Sequence, residues 1–201
     1  MPLVLVPAPR WARWIDNFVA RHGPAPLSVV DGALRGEAED GSHFTARLPF
    51  AASYDGPAQV AAFAEAAAAP APWGVLLVRK GGFAVARLHG SDLVEHKIGQ
   101  RHVQGRTKAG GQSQQRFARR RDNQARQANE AAADHAARIL ASSRVVVTGG
   151  DRTAVEAVLA DPRLTSLVVV APWLAVPDPR RAVLDAAIGD ARSLQVEVVN
   201  A

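Results

Sequence analysis

The 201-residue chain is 48% hydrophobic but only 5% aromatic, which is enough apolar content for the core of one sizeable domain or two small ones. It has no cysteine, which excludes disulfides and thiolate zinc sites. It also has no apolar stretch near the roughly 18 residues that a membrane span needs, so we expect a soluble protein of the reducing cytoplasm that contacts no membrane. Its net charge of +5 favours a polyanionic partner, and the excess lies in one segment, residues 101–126.

The first 70 residues predict an N-terminal extension made of helices and a hairpin. Apolar side chains at helical spacing predict a helix from Pro9 to His22, which Gly23 ends. Leu27–Arg35 and Ser42–Leu48 predict the paired strands of a hairpin around a charged, glycine-containing turn. Pro57–Ala69 predicts an alanine-rich helix.

From Trp73 onward the pattern is extended. WGVLLVRK, FAVARLHG and DLVEHKIG predict three strands, with Gly-Gly as a tight turn between the first two. Gln100–Gln112 has several glycines and no apolar period, which predicts a flexible loop. Ser113–Ser142 lacks Pro and Gly and is rich in Ala, Gln, Arg and Glu, which predicts the longest helix of the chain, with a basic first half and an alanine-rich second half that packs on the body.

Beyond this helix, short strands and helices alternate. The predicted elements are strand Arg144–Gly150, helix Asp151–Leu159, strand Ser166–Trp173, helix Asp178–Ile188 and strand Leu194–Val199. This alternation predicts an α/β fold in which a mixed β-sheet is flanked by helices and a flexible basic loop leads into one long helix. We expect residues 1–201 to form a single domain, with 1–70 as an extension and 73–201 as the core. The four tryptophans are expected to anchor the core.

The positive charge coincides with the predicted loop and the start of the long helix. Residues 101–126 contain eight Lys or Arg side chains against one acid, Asp122, while the rest of the chain is slightly acidic. Ordinary helix faces mix both signs, and this segment does not do so before Arg126. A basic stripe on a nearly neutral body is typical of proteins that bind RNA or another polyanion.

Gly110, Gly111 and Gln112 stand where the loop meets the helix. Two glycines let the backbone approach a partner without a Cβ in the way. The glutamine amide donates and accepts hydrogen bonds but does not titrate, so it is suited to positioning water and stabilising charge rather than to general-base catalysis. An uncharged glutamine in a basic segment suits a reaction in which the bound RNA supplies the reacting atoms.

The string GGQSQQRFARRR, which runs from Gly110 to Arg121, resembles the signature GGQSxxRFxRxR of the eukaryotic and archaeal class I peptide chain release factors. The matching positions are Gly110, Gly111, Gln112, Ser113, Arg116, Phe117, Arg119 and Arg121. The resemblance covers roughly residues 73–201 and implies the fold and peptidyl-tRNA hydrolysis of the central domain of those factors. Nothing in the chain looks like their stop-codon-reading domain, so the resemblance implies codon-independent release.

An extra helix and hairpin attached to such a core is similar to the Vms-type branch, whose members release nascent chains from stalled large ribosomal subunits. The chain therefore resembles an actinobacterial Vms-like release factor. The signature of that branch is Gly-x-x-Gln, which Gly111 and Gln114 also satisfy. We assign the catalytic role to Gln112, because the arginines that follow keep the release-factor spacing, and Gln114 remains the alternative.

The resemblance also implies the partners. These are the RNA of the large ribosomal subunit and peptidyl-tRNA, bound by a monomer that needs no cofactor and no metal. Gln112, with Gly110 and Gly111, would orient one water at the ester carbonyl. The cations implied to contact phosphates are Arg106, Lys108, Arg116, Arg119, Arg120 and Arg121.

Two other functions fit the basic arm: a nuclease that cuts the tRNA 3′ end, and a factor that binds the ribosome without catalysis. Other motifs indicate ordinary structure. The histidines lack carboxylate partners at metal-binding spacing. Val147–Glu156 lacks both the dinucleotide fingerprint and a P-loop lysine, so Gly149 and Gly150 are expected to form a turn and Asp151 to cap a helix.

Overall fold

The structure is a computed structural model that describes residues 3–80, 82–100 and 112–201, the side chains of residues 100 and 112–125 excepted. Within these residues it is a mixed α/β protein, as predicted. The strands are β1 (Leu3–Val6), β2 (Leu27–Val30), β3 (Ala33–Glu37), β4 (His43–Arg47), β5 (Trp73–Arg79), β6 (Gly82–His89), β7 (Asp92–Gln100), β8 (Val145–Gly150), β9 (Val168–Leu174) and β10 (Leu194–Val199). The helices are α1 (Trp11–His22), α2 (Val60–Glu65), α3 (Gln112–Ile139), α4 (Arg152–Leu159) and α5 (Arg181–Ala191).

The strands form two five-stranded sheets, and the chain forms two compact units. The first sheet has the order β1-β10-β4-β3-β2 with antiparallel pairs throughout. The second has the order β7-β6-β5-β8-β9 and includes the parallel pair β5–β8. Unit 1 comprises the chain up to Pro70 together with Val170–Pro172 and Ile188–Ala201; unit 2 comprises the segment from Ala71 to Val169 and Trp173–Ala187. The last strand therefore lies in the sheet of the N-terminal residues, between β1 and β4.

The core of unit 1 is aromatic. Helix α1 buries Trp11, Ile15 and Phe18 on one face, as its apolar spacing predicts. Trp11 stacks on Trp14 with ring centroids 5.3 Å apart. Phe44 of β4 meets Trp11, Trp14 and Phe18 edge-on at 5.7, 5.1 and 5.1 Å. Stacked and edge-to-face pairs at these distances stabilise the unit beyond the burial of their area.

The predicted elements of this unit need two corrections. Leu27–Arg35 is not one strand, because the chain turns at Asp31 and Gly32, whose φ angles of 49° and 71° are those of a tight hairpin turn between β2 and β3. Strands β3 and β4 then pair as predicted. The helix expected over Pro57–Ala69 is limited to α2. Gly23 ends α1 as expected, with φ 87°.

The core of unit 2 is mostly aliphatic and rich in alanine, although it also buries Trp73 and Phe83. Almost every side chain of β5 and β6 is buried, and such continuous apolar runs are typical of central strands. Helices α3 and α4 pack on one face of this sheet. The fully or nearly buried residues of that layer are Leu76, Val78, Phe83, Val85, Ala132, Ala133, Ala136, Ile139, Leu140, Val146, Val155, Val158 and Leu164.

The connection from β8 to α4 confirms the predicted cap at Asp151, whereas Gly149 and Gly150 are the last two residues of β8 rather than a turn. A Cβ on Gly149 would lie 2.3 Å from the carbonyl oxygen of Leu174, and Gly150 has φ 103°, so both positions require glycine. The Asp151 side chain accepts a hydrogen bond from the backbone N–H of Ala154 at 3.1 Å and caps the helix. Helix α5 begins later than predicted, since Asp178 precedes a proline and is disfavoured in helical backbone.

Candidate functional site

The predicted site residues lie at the start of α3 or just before it. Gln112 is the first residue of this helix, and Gln114, Arg116, Arg119, Arg120 and Arg121 follow in its first three turns. Gly110, Gly111, Arg106 and Lys108 lie outside the described residues. The structure therefore places the backbone of the candidate glutamines and of four candidate cations on one continuous helix.

The far end of α3 is fixed to unit 2. Ala132, Ala136, Ile139 and Leu140 are at most 1% exposed, and they pack against the sheet. The ring of His135 stacks on Phe83 of β6 with centroids 5.5 Å apart. The alanines allow the helix to approach the strands closely, which explains why the second half of α3 has small side chains.

One glycine of β5 makes the closest approach possible. A Cβ on Gly74 would lie 2.4 Å from Cδ2 of Leu140, so this side chain would have to shift. Leu140 is 1% exposed, so the surrounding core leaves its methyl groups little space to move. Glycine at position 74 therefore lets Leu140 pack closely on β5.

Two ion pairs add to this anchor. Arg138 of α3 donates a hydrogen bond to Glu95 of β7, and this bond holds the pKa of Glu95 below its usual value. Arg163 donates to Asp134 of α3 at 2.6 Å and also to Asp161, whose pKa the same guanidinium lowers to about 2. All of these groups are partly exposed, so each pair contributes modestly to stability, yet each fixes the rotation of α3.

The first half of α3 extends well beyond this anchor. At a helical rise of about 1.5 Å per residue, Gln112 lies about 30 Å along the axis from Ala132, the first buried residue among the described side chains of α3. Six residues before Ala132, Arg126 is 72% exposed and pairs with Glu130 at 3.8 Å. A helix fixed at one end carries its other end at a defined distance from the body, which a flexible loop does not.

The start of α3 has two properties that suit an oxyanion. The first four backbone N–H groups of an α-helix have no partner within the helix, and those of Gln112 and Ser113 are the first two. The helix dipole adds partial positive charge at this end, and no acidic residue stands in the first turn. The backbone here therefore offers hydrogen-bond donors and a favourable field to a negative oxygen atom.

Helix geometry separates the two candidate glutamines. At 100° per residue, the backbone position of Gln112 lies within about 40° of the positions of Arg116 and Arg119. The position of Gln114 lies instead within about 20° of those of Ala132 and Ile139, on the side of the helix that packs on the sheet further along the chain.

Sequence reasoning located the signature but not the contacts that anchor the helix α3 that carries it. The pairs Glu95–Arg138 and Asp134–Arg163 join residues 43 and 29 positions apart, and nothing local indicates such pairing. Gly74 carried a weak signal, as a lone glycine inside an apolar strand often marks a close backbone approach. Across the described residues, no group of three or more His, Asp or Glu side chains could hold a metal ion. The helices of those residues include none long and apolar enough to cross a membrane.

The segment 101–111 leaves from a defined end of the second sheet. Gln100 of β7 pairs with Gly82, and Gly82 pairs with Arg79 at the end of β5. Val78 pairs with Gly150 at the end of β8. The chain therefore continues toward the signature from the end of the sheet at which the parallel strands β5 and β8 finish. The carboxyl ends of parallel strands are where α/β proteins usually carry their binding sites.

A mixed α/β unit in which a Gly-Gly-Gln string leads into one long, anchored helix belongs to the class of translation release factors. The family model described as "Actinobacteria/chloroflexi VLRF1 release factor" (acVLRF1) matches residues 71–197, more than half of the chain, and the protein belongs to this family. No curated protein sequence matches the chain. Family membership confirms the resemblance to an actinobacterial Vms-like release factor and assigns the protein a role in translation, with a hydrolytic activity and an interaction with the ribosome.

Proposed function

We propose that the protein hydrolyses the ester bond of peptidyl-tRNA on the large ribosomal subunit without reading a codon, and so frees nascent chains from stalled ribosomes. The observation that carries this proposal is the position of Gln112 at the start of a helix whose far end is fixed by a buried core. The protein acts in the cytoplasm, where its RNA partners are, as a monomer without cofactor.

The chemistry required is the addition of one water molecule to an ester. The water oxygen attacks the carbonyl carbon, the bond to the 3′ oxygen of the tRNA breaks, and the tRNA hydroxyl takes up the proton. Because the amide of Gln112 does not titrate, its contribution is to orient the water, while backbone N–H groups at the start of α3 stabilise the developing oxyanion. Gly110 and Gly111 admit the backbone to the confined site.

The cations supply binding rather than chemistry. Arg116, Arg119 and Arg120 follow Gln112 within about two turns of helix, and Arg106 and Lys108 precede it in the chain. Each cation that neutralises a phosphate releases counterions, so binding to the ribosome weakens steeply as salt rises. Binding strength and release chemistry therefore depend on different residues of the same segment.

Helix position supports Gln112 over Gln114. The position of Gln112 shares a side of α3 with those of Arg116 and Arg119, so one approach of the helix brings glutamine and phosphate contacts to RNA together. The position of Gln114 lies on the side that elsewhere faces the protein. We therefore assign the water-orienting role to Gln112.

The test is peptide release from purified stalled large-subunit complexes, with Gln112→Ala and Gln114→Ala as a matched pair. Misplacement of a reacting group typically reduces the rate about 100-fold, and because the Gln112 side chain orients the water we expect a reduction of that size for Gln112→Ala only. Equal release by wild type and Gln112→Ala removes Gln112 from the mechanism. A reversed result assigns the role to Gln114.

The same reaction separates the alternatives. Hydrolysis of the ester leaves the tRNA with an intact 3′ end, whereas a nuclease shortens it, and a denaturing gel of the tRNA product distinguishes the two. A factor that binds without catalysis releases no peptide above background at any concentration.

A further inference from the structure

Unit 2 carries a second group of cations at the sheet end from which residues 101–111 depart. Strands β8 and β9 run in the same direction, since Val168 donates to the carbonyl of Arg144 at their starts and Leu174 lies against Gly149 at their ends. At this end of the sheet Arg79 is the last residue of β5, and Lys80 follows it. Arg152 is the first residue of α4, and only Asp151 separates it from β8.

Arg152 is held in an arrangement that suits RNA. Its guanidinium carbon lies 4.5 Å from the centroid of the Trp173 ring, at the end of β9. This cation–π contact restrains the guanidinium, while the side chain as a whole stays exposed to solvent. A planar, oriented guanidinium binds phosphate oxygens with two parallel hydrogen bonds and loses little freedom in doing so.

The helix dipole does not explain this arginine. A cation in the first turn of a helix opposes the helix dipole, and the usual residues there are acidic. Helix α4 has no acidic residue in its first turn. A residue that acts against local stability is expected where a partner uses it.

The acidic residues at this end of the sheet do not neutralise its cations. Asp151 accepts the backbone N–H of Ala154 and serves as the helix cap. Asp178 lies 3.7 Å from Arg79, in a pair whose two side chains are 43% and 63% exposed and which is therefore weak. Among the described residues, neither Lys80 nor Arg152 forms an ion pair within 4 Å.

We propose that Arg79, Lys80 and Arg152 form a second RNA-contact surface. It binds backbone phosphates of the ribosomal RNA beside the site on the ribosome that the signature, Gly110–Arg121, enters. This inference rests on the proposed function. Because β7 ends at the same end of the sheet, the surface lies beside the point from which the chain continues toward the signature, and the two contacts together fix the orientation of unit 2 on the ribosome.

The test measures affinity for purified large ribosomal subunits as a function of salt, for wild type and the double variant Lys80→Ala/Arg152→Ala. Each lost phosphate contact reduces the slope of log affinity against log salt by about 0.7 to 0.9. Between about 50 and 200 mM salt, the wild-type affinity should therefore fall about tenfold more than that of the double variant. Equal slopes overturn the proposal.

Matched variants separate this surface from general charge and from folding. Arg144 is exposed at the opposite end of the same sheet, so Arg144→Ala removes the same charge as Arg152→Ala alone and, unlike that variant, should leave the slope unchanged. Arg152→Lys keeps the charge, so it should keep the slope while affinity falls through loss of the planar guanidinium. A slope change of equal size in Arg144→Ala overturns the assignment to this edge.

The outcome is independent of the catalytic assignment. The double variant should need more protein for half-maximal peptide release, because these residues act in binding to the large subunit. Gln112→Ala should show the reverse, with the wild-type salt slope and little release. If Gln112→Ala releases peptide normally, the proposed mechanism fails, while the salt experiment still decides whether the surface exists.

Discussion

The two units each contain a five-stranded sheet, but different kinds of side chain fill their cores. Unit 1 concentrates large aromatic rings, and Trp11, Phe44 and Phe63 are all 0% exposed. Unit 2 contains most of the family match and packs its longest helix through alanines and aliphatic side chains. Large rings fill a core with few residues, whereas alanines let a helix lie close to a sheet. The difference indicates that unit 2 is built to hold α3 in a fixed position, and unit 1 to be stable over a short length of chain.

The largest effect on this comparison is expected from Trp11→Ala. The ring contacts Trp14, Phe44 and Phe63, and removing a fully buried tryptophan typically costs about 3–5 kcal/mol. Hydrogen exchange should show lost protection in α1 and β4, with β5 and β6 little changed. Equal loss in both units would mean that they unfold as one.

Trp11→Phe is the matched control. The buried Nε1 of Trp11 has no hydrogen-bond partner among the described atoms, so phenylalanine removes an unsatisfied donor while it keeps an aromatic ring. The loss of stability should therefore be clearly smaller than for alanine. A loss as large as that of Trp11→Ala would show that the indole shape, and not aromatic burial, stabilises unit 1.

Gly74→Ala should have an intermediate effect, in unit 2. The added methyl group overlaps Leu140, and overpacking of a core typically costs about 1–3 kcal/mol. Urea denaturation checks this value. Gly189→Ala is the contrasting substitution, since a Cβ there meets nothing within 4 Å and alanine favours a helix by about 0.5–1 kcal/mol. Opposite signs for the two variants confirm that Gly74 is required for close packing; equal signs contradict it.

The smallest effect on stability is expected from lowering the pH, through protonation of Asp161. Asp161 has a folded pKa of about 2, below its usual 3.8, because Arg163 donates hydrogen bonds to it. A lowered pKa contributes stability above the usual value, and that stability is lost as pH falls toward 2. Asp161→Asn should therefore flatten the decline in the stability of unit 2 between pH 5 and about pH 2.

Asp40 gives the corresponding measurement in unit 1. Nδ1 of His22 donates a hydrogen bond to Asp40 at 2.9 Å and lowers the pKa of that carboxyl group. Hydrogen exchange at two pH values separates the units, because Asp40→Asn should alter the acid response of α1 and Asp161→Asn that of α3. An unchanged acid response in both variants would mean that other carboxyl groups determine it.

Local patterns predicted the elements, and long-range packing decided their arrangement. LQVEVV predicted β10 to the residue, yet alternation does not say which strand lies beside it, and the partners β1 and β4 are far away in the chain. The Asp31-Gly32 turn had a local signal that the longer apolar pattern obscured. At the site, the string from Gly110 to Arg121 was informative because it is long. The sequence around Glu95 and Gly74 gave little indication of their roles, because their partners Arg138 and Leu140 lie far away in the chain.

The position of β10 bears on how the molecule is made. Translation produces β1 and β4 long before β10, the strand that joins them. Until Val199 has emerged, β1 and β4 each expose unpaired backbone groups, so this sheet is completed only after all the strands of the second sheet have been made. A shortened product that stops after α5 would carry an open edge in its first sheet, and such edges favour association between chains.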